Sequence, residues 1–332
     1  VERLNREVLS VTSVLYLPHE KEIQEYAKTI EHLKKQSSGN PLFATEIRRL
    51  EEKLEALKKK VYSELTPWDR VLICRHPKRP HSVDYIKSIT SEFIELHGDR
   101  TFGDDHALIG GLARIDGQPF VIVGQEKGSN TDERVVSNFG MLSPEGFRKA
   151  LRLMRLAEQL RIPVLSLLDT PGAYPGLEAE QRGQGWVIAE SIQKMFSIKT
   201  VIIVLVIGEG CSGGALGVGV GDVVAMLEHA YYSVISPEGC ASILWKDAAK
   251  KEEAANALKL NAENLLDLNI VSEIIPEPLG GAHYDPELMY QRVKEFVLAK
   301  AAALRHIPIP VLLEQRFQKF RSLGAVSNTP SV

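Results

Sequence analysis

Cysteine is scarce. The 332 residues hold three, Cys74, Cys211 and Cys240, far apart and odd in number. They form no C-x-x-C pair and no disulfide framework, which speaks against a structural zinc in this chain and for a reducing compartment. No apolar run approaches the roughly 18–20 residues of a membrane span; the longest, Val201–Ile207, is strand-sized. Charge of one sign is also missing. Forty Lys+Arg stand against 43 Asp+Glu, a net of −3, so a general attraction to nucleic acid is not expected. The start, Val1-Glu2-Arg3-Leu4, lacks the apolar core of a secretory signal, and a cytoplasmic protein is expected.

What is present begins with helical periodicity. Ile23, Tyr26, Ile30 and Leu33 step by three and four, as do Ile47, Leu50, Leu54, Leu57 and Val61. Between them Ser37-Ser38-Gly39-Asn40-Pro41 breaks the pattern. This predicts a helical hairpin over residues 1–65, which reads either as a solvated amphipathic pair or as an arm for subunit contacts. Residues 66–82, rich in Pro, Arg and His, read as a solvent-exposed linker, with basic residues that could otherwise bind an anion. From 83 to 325 the pattern is that of an α/β domain: Ala107–Ile115, an Asp116-Gly117 type I′ turn, and Phe120–Val123 make a hairpin. Apolar strands at Val164–Leu168, Val201–Ile207, Val223–Leu227, Tyr232–Ile235 and Ile270–Ile275 alternate with helical stretches, so the sheet is buried. A helix is expected from Pro286 to Arg305, and residues 326–332 read as a disordered tail. Ser143-Pro144-Glu145-Gly146 recurs as Ser236-Pro237-Glu238-Gly239, twice offering an N-cap Ser with Pro at the first helical position.

Three glycine-rich loops each follow a strand: Gly124–Gly128, Asp169–Gly176 and Gly208–Gly214. Ligands of open α/β sheets lie outside the carboxyl ends of the strands. Glycine there lets backbone N–H groups approach an oxygen closely, and such donors stabilise a developing oxyanion. The third loop admits several readings. Gly208, Gly210 and Gly213, with Glu228 further on, imitate a dinucleotide fingerprint, but the helix that follows is short and glycine-laden. Gly210-Cys211-Ser212-Gly213-Gly214 also fits a nucleophile elbow, with Asp247 and His283 or His306 as triad partners. A third reading is a backbone oxyanion hole without a side-chain nucleophile, and a fourth is a glycine-permitted strand–helix junction with no chemistry. Lys127 beside Gly128 offers a cation for a phosphate or carboxylate. Tyr174 and Trp186 suit the core or a ligand platform. His97–Arg100 and Asp104–His106 read as solvated or capping loop residues, with no metal spacing anywhere.

Several strings in a fixed order carry a resemblance. They include Leu65-Thr66-Pro67-Trp68, Gly98-Asp99-Arg100-Thr101-Phe102, Gly124-Gln125-Glu126-Lys127-Gly128 and Asn138-Phe139-Gly140-Met141. Pro144–Ala150, Asp169–Gly176, Gly208–Leu216, Tyr232–Gly239 and Glu314-Gln315-Arg316-Phe317 complete the set. From about Pro18 to Gly324 the chain resembles the alpha subunits of bacterial and plastid acetyl-CoA carboxylase carboxyltransferase. The resemblance implies a crotonase-like fold, a spiral of ββα units, after the helical hairpin. It implies transfer of the carboxyl group from carboxybiotin on the biotin carboxyl carrier protein to acetyl-CoA, giving malonyl-CoA for fatty acid biosynthesis. The implied partners are a beta subunit, which carries the family's zinc ribbon, in an α₂β₂ assembly, together with the carrier protein and biotin carboxylase.

In that family a Gly-Gly pair of alpha binds the carbonyl oxygen of carboxybiotin, and the matching pair of beta holds the acetyl-CoA enolate. The alpha pair falls on Gly213 and Gly214. Gly172, Ala173 and Tyr174 are expected to wall the same cavity, with Lys127, Gly128 and Ser212 as further substrate contacts. Both anions of the reaction need N–H donors more than a nucleophile, so Ser212 is read as a spacer. A serine hydrolase using Ser212 and a non-catalytic assembly subunit are the alternatives.

Overall fold

The computed structural model describes residues 16–37 and 41–324. The chain divides into two compact units, residues 1–65 and 66–332. In the first, α1 (Lys21–Ser37) and α2 (Pro41–Ser63) pack on each other. Ile23 and Ile30 are buried, and the α2 positions Ile47, Leu50, Leu54, Leu57 and Val61 are half-buried along the facing stripe. Lys34 Nζ pairs with Glu51 Oε1 across the hairpin at 2.6 Å. The expected turn at residues 38–40 lies outside the described residues, as do residues 1–15 and the tail 326–332.

The second unit opens with α3 (Pro67–Cys74) and α4 (Ser82–Ile89). This overturns the reading of 66–82 as a linker. Pro67 sits at the first helical position, where its missing N–H costs nothing, and Thr66 and Asp69 form a capping box. Trp68, Val71, Ile73 and Cys74 are buried. Arg79, expected in solvent, is 3% exposed and forms a two-pronged ion pair with Glu277 at 2.9 and 2.6 Å.

There follow β1 (Glu92–Glu95), β2 (Leu108–Ile115), β3 (Gln118–Gln125), α5 (Thr131–Val136), α6 (Pro144–Leu160) and β4 (Val164–Thr170). Next come α7 (Leu177–Gln181), α8 (Gln184–Met195), β5 (Ile202–Cys211), α9 (Ser212–Leu216), β6 (Val223–Leu227) and β7 (Tyr231–Ser233). The chain continues through α10 (Pro237–Trp245), α11 (Lys251–Leu258), α12 (Ala262–Asp267), β8 (Glu273–Ile275), α13 (Pro286–Leu304) and α14 (Ile309–Arg321). The β2–β3 hairpin turns at Asp116 (φ +46°) and Gly117 (φ +75°), both left-handed as a type I′ turn requires. Ser143 and Ser236 start α6 and α10 as their repeated strings predict, and Ser236 Oγ accepts from Gly239 N at 3.1 Å.

One sheet runs β1-β2-β3-β4-β5-β6-β8, with β7 also paired to β5. The β1–β3 meander is antiparallel; β3, β4, β5, β6 and β8 are parallel. Every residue of β4 and β5 is buried, which accounts for their unbroken apolar runs. Helix α6 packs on β2 and β3, and α13 on α4 and β5. The last two strands are shorter than expected. Tyr231–Ser233 ends before Val234, which is 74% exposed, and Glu273–Ile275 begins after a turn at Leu268–Val271.

Helix α14 lies beyond the helix expected from Pro286 to Arg305. It is anchored by Arg316, 1% exposed, which donates to Asp222 and to the carbonyls of Met195, Ile198 and Thr200. No single helix among the described residues is long and apolar enough to cross a membrane.

Candidate active site

Parallel pairing brings the carboxyl ends of β3, β4 and β5 to one side, and each strand runs straight into one of the glycine loops. The β5–α9 junction is the tightest. Cys211 is extended, Ser212 adopts φ +56°, and α9 is a single turn closed by Gly217 N donating to Gly213 O at 3.0 Å. The first N–H groups of such a turn have no intrahelical acceptor.

Gly214 has no room for a side chain. A Cβ there would run into the Gly172 carbonyl carbon and stand 2.6 Å from Ala173 N. The second and third loops therefore touch backbone to backbone. Gly213 is different: its nearest neighbour would be Ile188, at 3.5 Å from a Cβ. Gly172 adopts φ +151° with open space on its Cβ side. Thr170 Oγ1 donates to Gly172 O and accepts from Gly172 N, pinning the loop. Tyr174 is half-buried, and its N–H donates to Leu142 O at 3.0 Å. Trp186 is 78% exposed and belongs to no core.

At the same strand ends lies a charge chain with Asp169 and Glu209 buried at its centre and Lys127, Arg75 and Glu238 partly exposed. Lys127 Nζ stands 2.7 Å from Asp169 Oδ1 and 2.6 Å from Glu209 Oε1. Asp169 also meets His81 Nδ1 at 3.2 Å and accepts from Glu209 N at 2.9 Å. Glu209 accepts from Arg75 Nε at 2.8 Å and from the Tyr231 hydroxyl, and Arg75 reaches on to Glu238 at 2.6 Å.

Burial alone would push both carboxyls up. For Asp169 the neighbouring Lys127 and His81 outweigh it and hold the group well below the usual carboxylate range. For Glu209 Lys127 and Arg75 hold it down to about 2. Burial opposes charge on Lys127 too, but the two carboxylates raise it above an ordinary lysine. Lys127 is thus engaged with this chain's own carboxylates, not standing as the open cation expected for substrate. A cavity of about 260 Å³ lies beside the network, lined among others by Arg75, His81, Lys127, Asp169, Pro171 and Glu209. A more voluminous cleft, about 720 Å³, opens at the opposite strand ends beside Pro119, Pro163 and Val201, away from all three loops.

Of the residues singled out in the sequence, Gly172, Ala173 and Gly214 meet directly, and Ser212 and Gly213 precede Gly214 on its turn. Gly128 does not join them. At φ +80° it turns the chain against the Glu133–Arg134 backbone of α5. The triad does not form: Asp247 caps the following turn through Ala249 N, His283 stacks on His76, and no imidazole bonds Ser212 among the described residues. The dinucleotide reading fails as well, since Glu228 is bound to Glu277 N and α9 is one turn long. Among the described residues no group of three His, Cys, Asp or Glu side chains could hold a metal. Asp99 caps its own loop by accepting from the Thr101, Phe102 and Gly103 N–H groups, as expected.

Sequence reasoning missed Gln125, Asp169, Glu209, His81 and Arg75. Gln125 is fully buried at the end of β3; its Nε2 donates to Gly214 O at 2.8 Å and its Oε1 accepts from Asp169 N at 3.2 Å. Its signal was a polar residue ending an apolar strand. Arg75 left none, because its partner Glu209 is 134 residues away.

A family model described as acetyl co-enzyme A carboxylase carboxyltransferase-like matches residues 16–324. The acetyl-coenzyme A carboxylase carboxyl transferase subunit alpha of Protochlamydia amoebophila is 65% identical over 308 residues, covering 93% of this chain and 98% of that one. Its counterpart from Chlamydia caviae is 59% identical over 309 residues, covering 93% and 95%. Among solved structures, a Pseudomonas malonate decarboxylase hetero-tetramer in complex with coenzyme A matches with a TM-score of 0.55 at 16% identity, covering 70% of this chain and 90% of that one. At that identity the likeness is one of fold, and the fold is crotonase-like.

Proposed function

The chain belongs to the acetyl-CoA carboxylase carboxyltransferase alpha-subunit family, and from that premise we propose that its Gly213–Gly214 turn is the half-site that receives the carbonyl oxygen of carboxybiotin. The observation that carries this reading is the contact of Gly214 with the Gly172–Ala173 backbone, which brings the two loops together as a cradle at the carboxyl ends of β4 and β5. A cradle of that kind suits a flat ureido ring. Carboxybiotin, when bound, supplies the carboxyl group and, once that group has left, a basic ring nitrogen.

This chain's part is electrostatic. The N–H groups of Gly213 and Gly214 donate to the oxygen on which charge builds, and each such donor is worth about 3–4 kcal/mol in acyl-transfer enzymes. The loop Gly172–Tyr174 walls the cradle, and Thr170 holds Gly172 still. The acetyl-CoA enolate lies across the cradle on a beta subunit, so the alpha chain alone is inactive. A cytoplasmic α₂β₂ enzyme fed by biotin carboxylase and the biotin carboxyl carrier protein completes the proposal.

The test is malonyl-CoA formation from carboxybiotin and acetyl-CoA, by this chain alone and with its beta subunit. Activity only in the mixture is expected. Gly214→Val, whose side chain must displace Gly172–Ala173, abolishes transfer. Gly213→Ala, with space for its methyl group, assembles normally and loses less. Normal turnover by Gly214→Val in an assembled complex sinks the assignment.

A further inference from the structure

We propose that Gln125 is the positioning residue of this half-site, the brace that holds the Gly213–Gly214 turn against the Gly172–Ala173 loop. The inference rests on the reading of that turn given above. In a longer helix the carbonyl of Gly214 would accept from the N–H of residue 218. Here Val218 N turns instead to Ala215 O at 3.2 Å, so Gly214 O loses its helical partner in a fully buried place. Gln125 Nε2 fills that vacancy at 2.8 Å.

The other end of the same amide accepts from Asp169 N, one residue before Thr170 and at the root of the loop that carries Gly172 and Ala173. A carbonyl can only accept and a backbone N–H can only donate, so the two partners fix the amide's orientation. Gln125 is itself anchored, because its backbone carbonyl accepts from Ser82 Oγ at 2.7 Å. One buried side chain thus ties β3 to both loops of the cradle. It touches no substrate position; it acts through the peptides it holds.

The test uses the alpha chain assembled with its beta subunit. Gln125→Met keeps the length and removes both hydrogen bonds. Its kcat is expected to fall about 10- to 100-fold, the scale of a donor misplaced by about 1 Å. KM for each substrate stays within about threefold, because binding groups are intact.

Gln125→Glu separates positioning from mere packing. A neutral Glu can donate through its hydroxyl to Gly214 O and accept from Asp169 N, whereas the carboxylate cannot donate. Glu126 and Lys127 follow it in the chain, Asp169 bonds it from β4, and His81 and Glu209 sit on Asp169. The parent profile, which carries all of these, is the baseline. Relative to that baseline, Gln125→Glu recovers kcat at about pH 6 and loses it as the side chain ionises.

Parental kcat in Gln125→Met overturns the proposal. If that variant does not assemble, Gln125→Glu decides alone: acid recovery supports the brace, and a chain inactive or unassembled at about pH 6 overturns it. An active Gly214→Val removes both the half-site and the brace. An inactive Gly214→Val beside an unaffected Gln125→Met removes only the brace.

Discussion

Lys127, 15% exposed, forms an ion pair with the buried Asp169, Nζ to Oδ1 at 2.7 Å, that joins the first glycine loop to the second. Because Lys127 also reaches Glu209, one ammonium group fastens the ends of β3, β4 and β5 together. The pair is structural in its chemistry: each charge is matched by a partner from this chain. Gly140 and Gly208 keep the space around it open. A Cβ at Gly140 would stand 2.8 Å from Lys127 Cγ, and one at Gly208 would run into the Asp169 carboxylate.

Removing that ammonium leaves two buried carboxylates with weaker support. Lys127→Met is expected to lower stability by about 3–5 kcal/mol at neutral pH, the usual cost of stripping one partner from a buried pair. The deficit shrinks as pH falls, because Asp169 and Glu209 lose the group that depresses them and take up protons more readily. Lys127→Arg retains the charge and loses less. Denaturant unfolding at several pH values reads all three statements. A deficit in Lys127→Met that does not change with pH would contradict the pairing.

Ser212 makes a second case. It holds φ +56°, a left-handed geometry costing a non-glycine residue about 1–2 kcal/mol, and no imidazole bonds it among the described residues. Its place is a backbone need of the turn. Ser212→Gly meets that need without strain and is expected to assemble and turn over normally. Ser212→Ala retains most transfer, and a fluorophosphonate does not label the parent. Complete loss of transfer in both variants, with labelling of the parent, would restore the serine as a nucleophile.

Much of this fold was legible because its signals are local. The β2–β3 hairpin announced itself through Asp116-Gly117, and the buried strands β4 and β5 through apolar runs that need no neighbour to be read. The glycine loops were visible for the same reason. Residues 66–82 were misread because proline ends helices and also begins them; Pro67 does the second, and only Asp69 hinted at it. Arg316 resembled a surface arginine on a polar segment, while its five hydrogen bonds go to residues of other elements. Lys127, Gln125 and Arg75 share that character. Their partners are 42, 44, 82, 89, 134 and 163 residues away, so no spacing rule reaches them.

His283 couples the stability of the fold to acid pH. Its ring stacks on His76 with centroids 3.7 Å apart and planes 13° apart, and its Nδ1 is buried without a partner among the described residues. Burial, then the nearby His76 and Arg79, push its pKa from 6.5 down to about 3. The unfolded chain therefore binds a proton at this position that the folded chain refuses between those values. Stability rises with pH wherever the unfolded state holds more protons, so His283 costs stability as pH falls from about 6.5 towards 3. The depressed carboxylates Asp169, Glu209 and Glu277 add their own loss at lower pH, as each is protonated on the way to its folded value. Asp105, raised to about 6, and His81, also raised, work in the opposite direction. A difference between two chains cancels these shared contributions. His283→Phe keeps a ring on His76 and removes the titration. Its stability should fall less steeply than the parent's between about pH 6.5 and 4, by at most one proton's worth of slope. Unfolding midpoints of both chains across that range are the measurement, and parallel curves would show that the stacked pair is not what resists the proton.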